Sequence, residues 1–228
     1  MTLEEYKQRA KEDEDWTPGW EAIETAFSRI YTDQKPRHYA TNLVSRANLG
    51  GDQYLDGYSI YTSPRGYYHI VSYGMSELYV NEESFGGEWS GWGYEMTFKL
   101  ASPDLEDPKV CLWTLDMLAN LAFFTNTRTS YLESLQFVAG DSKPLDRSNA
   151  SLITGLAVIA DTEVESVDTP HGRLEFLQLV GLTQAELEFI AGFKEEADSR
   201  AALEKLLTSM KEDNPYLVTD MQRKKSYV

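Results

Sequence analysis

The residues from Trp92 to Leu100 alternate strictly. Trp92, Tyr94, Met96, Phe98 and Leu100 are apolar, and Gly93, Glu95, Thr97 and Lys99 between them are not. A period of two marks a β-strand whose successive side chains point to opposite faces, and it predicts one face on a core and the other in water. Two further strands precede it. Residues 57–62 and 67–73, joined by the turn Ser63-Pro64-Arg65-Gly66, read as a hairpin. The connection over residues 74–91 is long, acidic at Glu77, Glu82, Glu83 and Glu88, and glycine-rich at its end. A long connection in a compact domain is usually functional or mobile.

Helical spacing flanks this stretch. Thr17 and Pro18 suit the N-cap and first helical position, and Trp20, Ile23, Phe27 and Ile30 then share one face, with Lys35-Pro36 as the stop. Asp107 can cap a second helix with Pro108 at its first position. Val110, Trp113, Met117, Leu121 and Phe124 follow at helical spacing, and apolar residues on its other sides predict the most buried helix of the fold. Residues 135–138, 152–160 and 173–180 read as strands, the middle one apolar on both faces and therefore central in its sheet. Thr183 and Glu186 form a capping box, with Leu182 stapled onto Leu187 and Gly192 as terminator. Leu203, Leu206, Leu207 and Met210 mark a last amphipathic helix that stops before Asn214-Pro215. Residues 38–42 read as a short strand, 48–52 as a loop, and the tail after Asn214 as the start of another strand. Residues 1–15, dense in charge, read as a frayed helix or a mobile arm. No repeat or long linker divides the remainder, so the expected organisation is an arm (1–15) and a single α+β domain (16–228).

The net charge of −16 disfavours nucleic acid and anionic membrane as partners, because phosphates need Lys and Arg. It favours a basic protein partner, or simply solubility. Cys111, the single cysteine, permits no internal disulfide and reads as a small core residue. The first residues lack the apolar run of a signal peptide, and residues 110–124 are too short to span a bilayer and contain Asp116 and Asn120. A cytoplasmic location is the expectation, which leaves the Asn149-Ala150-Ser151 sequon idle.

No catalytic pattern emerges. His38, His69 and His171 sit in no metal spacing, and no nucleophile elbow, phosphate loop or kinase signature is present, so no catalytic, metal or cofactor residue is assigned. Glu82-Glu83 and Glu195-Glu196 read as solvated faces. The glycines of Gly86-Gly87-Glu88-Trp89-Ser90-Gly91-Trp92-Gly93 precede a strand rather than a helix, and read as tight turns and close backbone approach. Tyr54, Tyr58, Tyr61, Tyr67, Tyr68, Tyr73 and Tyr79 crowd one stretch. They fit either a half-buried sheet face or a protein-binding surface.

At these residues the chain resembles the Suppressor of fused family. The resemblance is carried by Trp16-Thr17-Pro18-Gly19-Trp20, Arg37-His38-Tyr39, Leu55-Asp56-Gly57 and the run from His69 through Ser72-Tyr73-Gly74-Met75-Ser76-Glu77-Leu78-Tyr79. It continues in Ser90-Gly91-Trp92-Gly93-Tyr94-Glu95-Met96-Thr97-Phe98, Thr169-Pro170-His171-Gly172, the run from Phe176 to Gly181, and Leu217-Val218-Thr219-Asp220 with Arg223. It implies an α+β domain with a central, mostly antiparallel sheet flanked by helices, and no enzymatic activity. Animal members have a second, C-terminal domain and hold a zinc-finger transcription factor between the two as an added β-strand. The resemblance here covers the first domain. Short bacterial members resemble immunity proteins that neutralise toxins of polymorphic toxin systems.

The family's Ser-x-Leu-Tyr tyrosine matches Tyr79. Its acidic residue before Ser90-Gly91 falls near Gly87, with Glu88 the nearest acid. The expected partner-binding surface is therefore Tyr79, Glu82, Glu83, Glu88 and Trp89, facing a protein partner that would be a basic toxin domain under the immunity reading. Two other readings stay open: an enzyme of unidentified type, such as a hydrolase, built on a deep pocket with converging His and acid side chains, and a small-molecule sensor using the tyrosine-rich sheet.

Overall fold

The computed structural model describes residues 1–41, 55–102 and 104–228. Its strands are β1 (Arg37–Ala40), β2 (Gly57–Ser63), β3 (Tyr67–Tyr73), β4 (Trp89–Ala101), β5 (Phe137–Ala139), β6 (Ile153–Ala160), β7 (Val167–Thr169) and β8 (Gly172–Thr183). The helices are α1 (Leu3–Glu12), α2 (Pro18–Ser28), α3 (Trp113–Arg128), α4 (Gln184–Ala191) and α5 (Glu196–Asp213). The strands join in the order β1-β2-β3-β4-β8-β6-β5, with β7 folded back on β8. Only the β4–β8 ladder is parallel among the described strands. This is the mostly antiparallel α+β sheet flanked by helices that the sequence predicts. The sequon, at Asn149, lies between β5 and β6, while the expected loop at 48–52, Asn42 and Tyr54 lie outside the described residues.

The strand β6 runs inside the sheet, between β8 and the short edge strand β5, but β4 and β8 hold its middle. Its two-sided apolar pattern reflects helices on both faces, not a midpoint position. Leu156 and Val158 join the cluster under α3, while Ala157 and Ile159 join the one under α4 and α5.

One face of the sheet, with Tyr68, Ile70, Tyr94, Met96, Phe98, Leu100, Leu177 and Leu179, is covered by α3. The opposite face is covered in two pieces. Ile23 and Phe27 of α2 cover Tyr61, Val71, Tyr73, Leu174 and Phe176. Leu187 and Ile190 of α4, with Leu203, Leu206 and Leu207 of α5, cover Val180 and Leu182. Each helix buries a stripe too polar on its other side to stand alone, so packing rather than propensity holds it.

The polar side of β4 does not meet water. Glu95, Thr97 and Lys99 are fully buried, because α2 lies over that face as well. The tyrosines of β2 and β3 are core residues, from 0% exposure at Tyr68 and Tyr73 to 5% at Tyr58, and so form no open sensor pocket. α3 is not the most buried helix. Its inward stripe is Thr114, Leu118, Ala119, Ala122 and Thr125, whereas Phe124, and Val110 in the turn before the helix, are half exposed. Asp107 caps the 3₁₀ turn Pro108–Cys111 that leads into α3, and Cys111 is buried as expected. Thr17 takes the N-cap position of α2 without capping it through its side chain. Residues 3–12 form a docked helix rather than a mobile arm, with Tyr6 fully buried. The tail contributes a single bridge, Leu100 to Thr219, instead of a strand.

Candidate partner-binding surface

The turn from Gly74 to Tyr79 is fixed from below by a buried carboxylate. Glu95 Oε1 accepts from the Gly74 N–H (2.9 Å), the Ser76 N–H (3.0 Å) and the Ser76 hydroxyl (2.7 Å), and Oε2 accepts from the Ser72 hydroxyl (2.6 Å). No cation touches Glu95 among the described residues. Burial pushes its pKa up, and the hydrogen bonds oppose this without cancelling it. Ser90 adds a second tie, accepting the Glu77 N–H through its hydroxyl (3.1 Å). The two longest stretches of the family resemblance are thus one physical unit, the second holding the first in shape.

The strand β4 bulges beside this turn. Trp89 pairs with Arg173 and Tyr94 with Glu175, so β4 advances further than β8 and the residues between are pushed out of the ladder. Gly91 and Gly93 have φ of 58° and 86°, a region other residues rarely adopt. A Cβ on Gly91 would lie 2.7 Å from the Met75 carbonyl oxygen, so the glycine also permits the bulge to meet the turn. Trp92 donates its main-chain N–H to that same carbonyl (2.8 Å) and its indole N–H to Asn126 Oδ1 (3.0 Å).

Two clefts share Gly91 and Trp92. One is lined by Asp56, Ser76, Glu77, Tyr79 and Asn126. The other is lined by Trp89, Gly93, Tyr131, Glu133 and Glu175. Tyr79, Trp89 and Tyr131 are exposed by 49%, 46% and 56%. The Tyr79 hydroxyl donates to Asp56 Oδ2 at 2.5 Å, so the ring is held upright at the surface rather than folded into the core.

Of the residues expected to bind a partner, Tyr79 and Trp89 line these adjoining clefts. Glu82, Glu83 and Glu88 are exposed but line neither. Glu82 and Glu83 belong to a short 3₁₀ turn beside α1, where Lys7 pairs with Glu82 at 2.6 Å. The acids that do line the clefts are Asp56, Glu77, Glu133 and Glu175. Sequence reasoning misses Asp56 because the β2–β3 ladder brings it there, its N–H donating to the Tyr73 carbonyl.

The histidine and acid side chains do not converge on either cleft. The Asp161 side chain is fully buried and accepts from His69 Nε2 (3.0 Å), Lys99 Nζ (3.0 Å), the Thr97 hydroxyl (2.5 Å) and the Glu163 N–H (2.8 Å). His69 Nδ1 lies 3.0 Å from the Tyr31 hydroxyl, and Glu163 adds a second carboxylate 3.0 Å from Lys99. Burial acts to raise the Asp161 pKa, but the neighbouring His69 and Lys99 and the bond from Thr97 outweigh it and hold the carboxyl far below the usual range. This cluster fills the seam where the α2 layer and the α4–α5 layer part, together with Gln178, which donates to the Tyr216 and Leu217 carbonyls.

Comparison with known proteins agrees with this architecture. The sequence profile of the Suppressor of fused protein (SUFU) family matches residues 51–224. The chain is 31% identical over 220 residues to the Suppressor of fused homologues of Homo sapiens and of Mus musculus, covering 90% of itself and 43% of each relative. It therefore spans less than half the length of these curated relatives. Among solved structures, a crystal structure of the Sufu–Fu complex aligns with a TM-score of 0.75 and 27% identity, over 92% of both chains. Drosophila Suppressor of Fused aligns with a TM-score of 0.75 and 28% identity, over 92% of this chain and 51% of that one. A Suppressor of fused homologue from Neisseria gonorrhoeae shares the fold at a TM-score of 0.60 and 14% identity. The chain belongs to the Suppressor of fused family.

Proposed function

We propose that this domain is a non-catalytic binder that sequesters a protein partner on the surface around Tyr79 and Trp89. The observation that carries the reading is the pair of adjoining clefts, edged by three exposed aromatic rings and floored by a turn that Glu95 preorganises. Exposed, rigidly held aromatics are the usual anchors of protein interfaces. In this reading Glu82, Glu83 and Glu88, exposed outside the clefts, act as rim charges that steer a basic partner more than they hold it. A crystal structure of a Sufu–Fu complex exists, and a protein partner for this chain is the like reading. The finer form of the proposal is an immunity role in the cytoplasm, with a basic toxin domain as the sequestered partner. An enzyme reading is disfavoured because the side chains of His69, Lys99 and Asp161 are fully covered and spent on one another.

The test is site-specific photo-cross-linking in the native host. A photoreactive phenylalanine analogue at position 79 or 89 should capture one protein that an analogue at Lys109 does not. That protein, purified, should bind the domain and lose affinity with Tyr79→Ala. Capture that is equal at all three positions would defeat the surface assignment. A captured protein whose toxicity the domain fails to neutralise would defeat the immunity role alone.

A further inference from the structure

α1 is joined to the rest of the chain differently from every other helix. Tyr6 is its only buried residue, and its other contacts are surface pairs: Lys7 with Glu82, Arg9 with Glu21, and the Arg9 guanidinium over the Trp16 ring. Exposed ion pairs contribute little, and a helix of ten residues is marginal by itself even with the Thr2–Glu5 capping box. Its docking therefore rests on one side chain in one socket. The Tyr6 ring lies against Trp16, Phe85 and His171, with centroid distances of 5.1, 4.9 and 5.7 Å.

The floor of that socket is polar. The Tyr6 hydroxyl accepts the Asn81 N–H (2.7 Å) and lies 2.8 Å from His171 Nε2. With one lone pair engaged by Asn81, the hydroxyl can donate its proton to His171 Nε2 when the imidazole is neutral and carries its own proton on Nδ1. That Nδ1 is buried and makes no hydrogen bond of good geometry, although the Glu77 main-chain carbonyl acts on the ring. We infer that α1 is a releasable strap, bolted by Tyr6, which opens when His171 takes up a proton.

A second proton on His171 turns Nε2 into a donor, so the Tyr6 proton loses its acceptor, and leaves a cation with no access to water. Glu77 and Tyr6 act on it directly, and Glu82, paired with Lys7, acts on Tyr6. Lys7 and Glu82 are paired with each other, while Glu77 opposes the effect through its carboxylate and main-chain carbonyl. Burial outweighs Glu77 and pushes the imidazole below its ordinary value. When α1 lifts, water reaches His171 and the charge is tolerated. The sign follows: closure is fully favoured above about pH 6.5, the ordinary histidine value, and weakens as pH falls below it, by at most about tenfold per pH unit.

Hydrogen exchange on the intact protein at pH 7.5 and 5.5, corrected for intrinsic rates, tests this. Residues 3–12 should lose protection by several-fold to about tenfold at pH 5.5, while β3, β4 and β8 keep theirs. His171→Gln should leave α1 equally protected at both pH values, and Tyr6→Phe should expose it at both. Glu5, held below the ordinary carboxylate range by its hydrogen bonds with Thr2, does not imitate the effect. Protection of α1 that is insensitive to pH, that persists in its pH dependence in His171→Gln, or that disappears only together with the strands would overturn the proposal. If His171→Gln does not fold, Tyr6→Phe alone decides: a pH step unchanged in that variant refutes the bolt.

Discussion

Glu95 and Asp161 are buried against the same face of β4 and are neutralised in opposite ways. Glu95 is surrounded by neutral donors, two hydroxyls and two main-chain N–H groups. Asp161 has Lys99 and His69 in direct contact. Burial opposes the charge in both cases, and only a cationic neighbour reverses the outcome, so the Glu95 pKa rises while that of Asp161 falls. The two also hold different things. Asp161 closes a seam between helical layers, whereas Glu95 shapes one surface turn. The first carboxylate is therefore about stability and the second about presentation of Tyr79.

The largest expected effect is at Asp161. Asp161→Asn keeps the shape but removes one of the two carboxylates 3.0 Å from Lys99, and breaking a buried pair in this way costs up to about 3–5 kcal/mol. Chemical denaturation at pH 7 measures it. Asp161 has a depressed folded pKa, so its contribution is present above its ordinary value near 3.9 and is lost as pH falls towards the folded one. The deficit of the variant should accordingly shrink in acid. A Lys99→Met, Asp161→Asn double variant should lose less than the two singles added together.

Glu186 comes next and is an intermediate case. It completes the capping box with Thr183, yet Arg223 also donates to it at 2.7 and 2.9 Å and the Tyr227 N–H at 3.1 Å. Glu186→Ala should cost about 1.5–3 kcal/mol, as expected for bonds to a charged group. Thr183→Ala should cost about 1 kcal/mol, the usual value of a cap. Equal losses in thermal unfolding would mean that Arg223 adds nothing to the box.

Glu95→Gln should cost about 1 kcal/mol or less, since Oε1 keeps its three donors and the Ser72 hydroxyl can turn to accept. Its pH signature is the reverse of Asp161. A raised folded pKa favours the fold below the ordinary value and is lost as pH rises through the raised one. The variant should therefore gain on the wild type as pH increases from 5 to 8. A wild-type deficit that does not grow over that range would erase the contrast between the two carboxylates.

The strands and helices around this pair are legible from period and caps, because those signals are local. The alternation from Trp92 to Leu100 identifies β4, and Thr183 with Glu186 identifies the start of α4. What covers the second face of β4 is not local. The partner of Lys99 arrives from Asp161, 62 residues away, and no period encodes that meeting. The same holds for α3, where apolar spacing marks a helix but the small residues Ala119 and Ala122 are buried against the sheet and Phe124 is not. At the candidate surface, Tyr79 and the glycine bulge are readable as motifs, while Asp56 and Tyr131 join them only through the fold.

Tyr79 is where the comparison reaches function, and it should give the smallest change in stability. Half exposed, with its hydroxyl on Asp56 at the surface, it contributes little to the core. Tyr79→Ala should shift the unfolding free energy by no more than about 0.5 kcal/mol, the usual range for a surface substitution. The same variant should weaken partner binding by about 1–3 kcal/mol, expressed mainly in faster dissociation, as for an interface anchor. Glu82→Gln with Glu83→Gln should instead slow association and flatten its salt dependence, because exposed charges act over the Debye length rather than by contact. Glu95→Gln provides the link between the two halves. If its carboxylate preorganises the Tyr79 turn, the variant should lose affinity while its stability is nearly unchanged, and a Tyr79→Ala, Glu95→Gln double variant should lose little more than Tyr79→Ala alone. Fully additive losses would mean that the buried carboxylate and the exposed ring act independently, and that the turn owes its shape to the bulge at Gly91 instead.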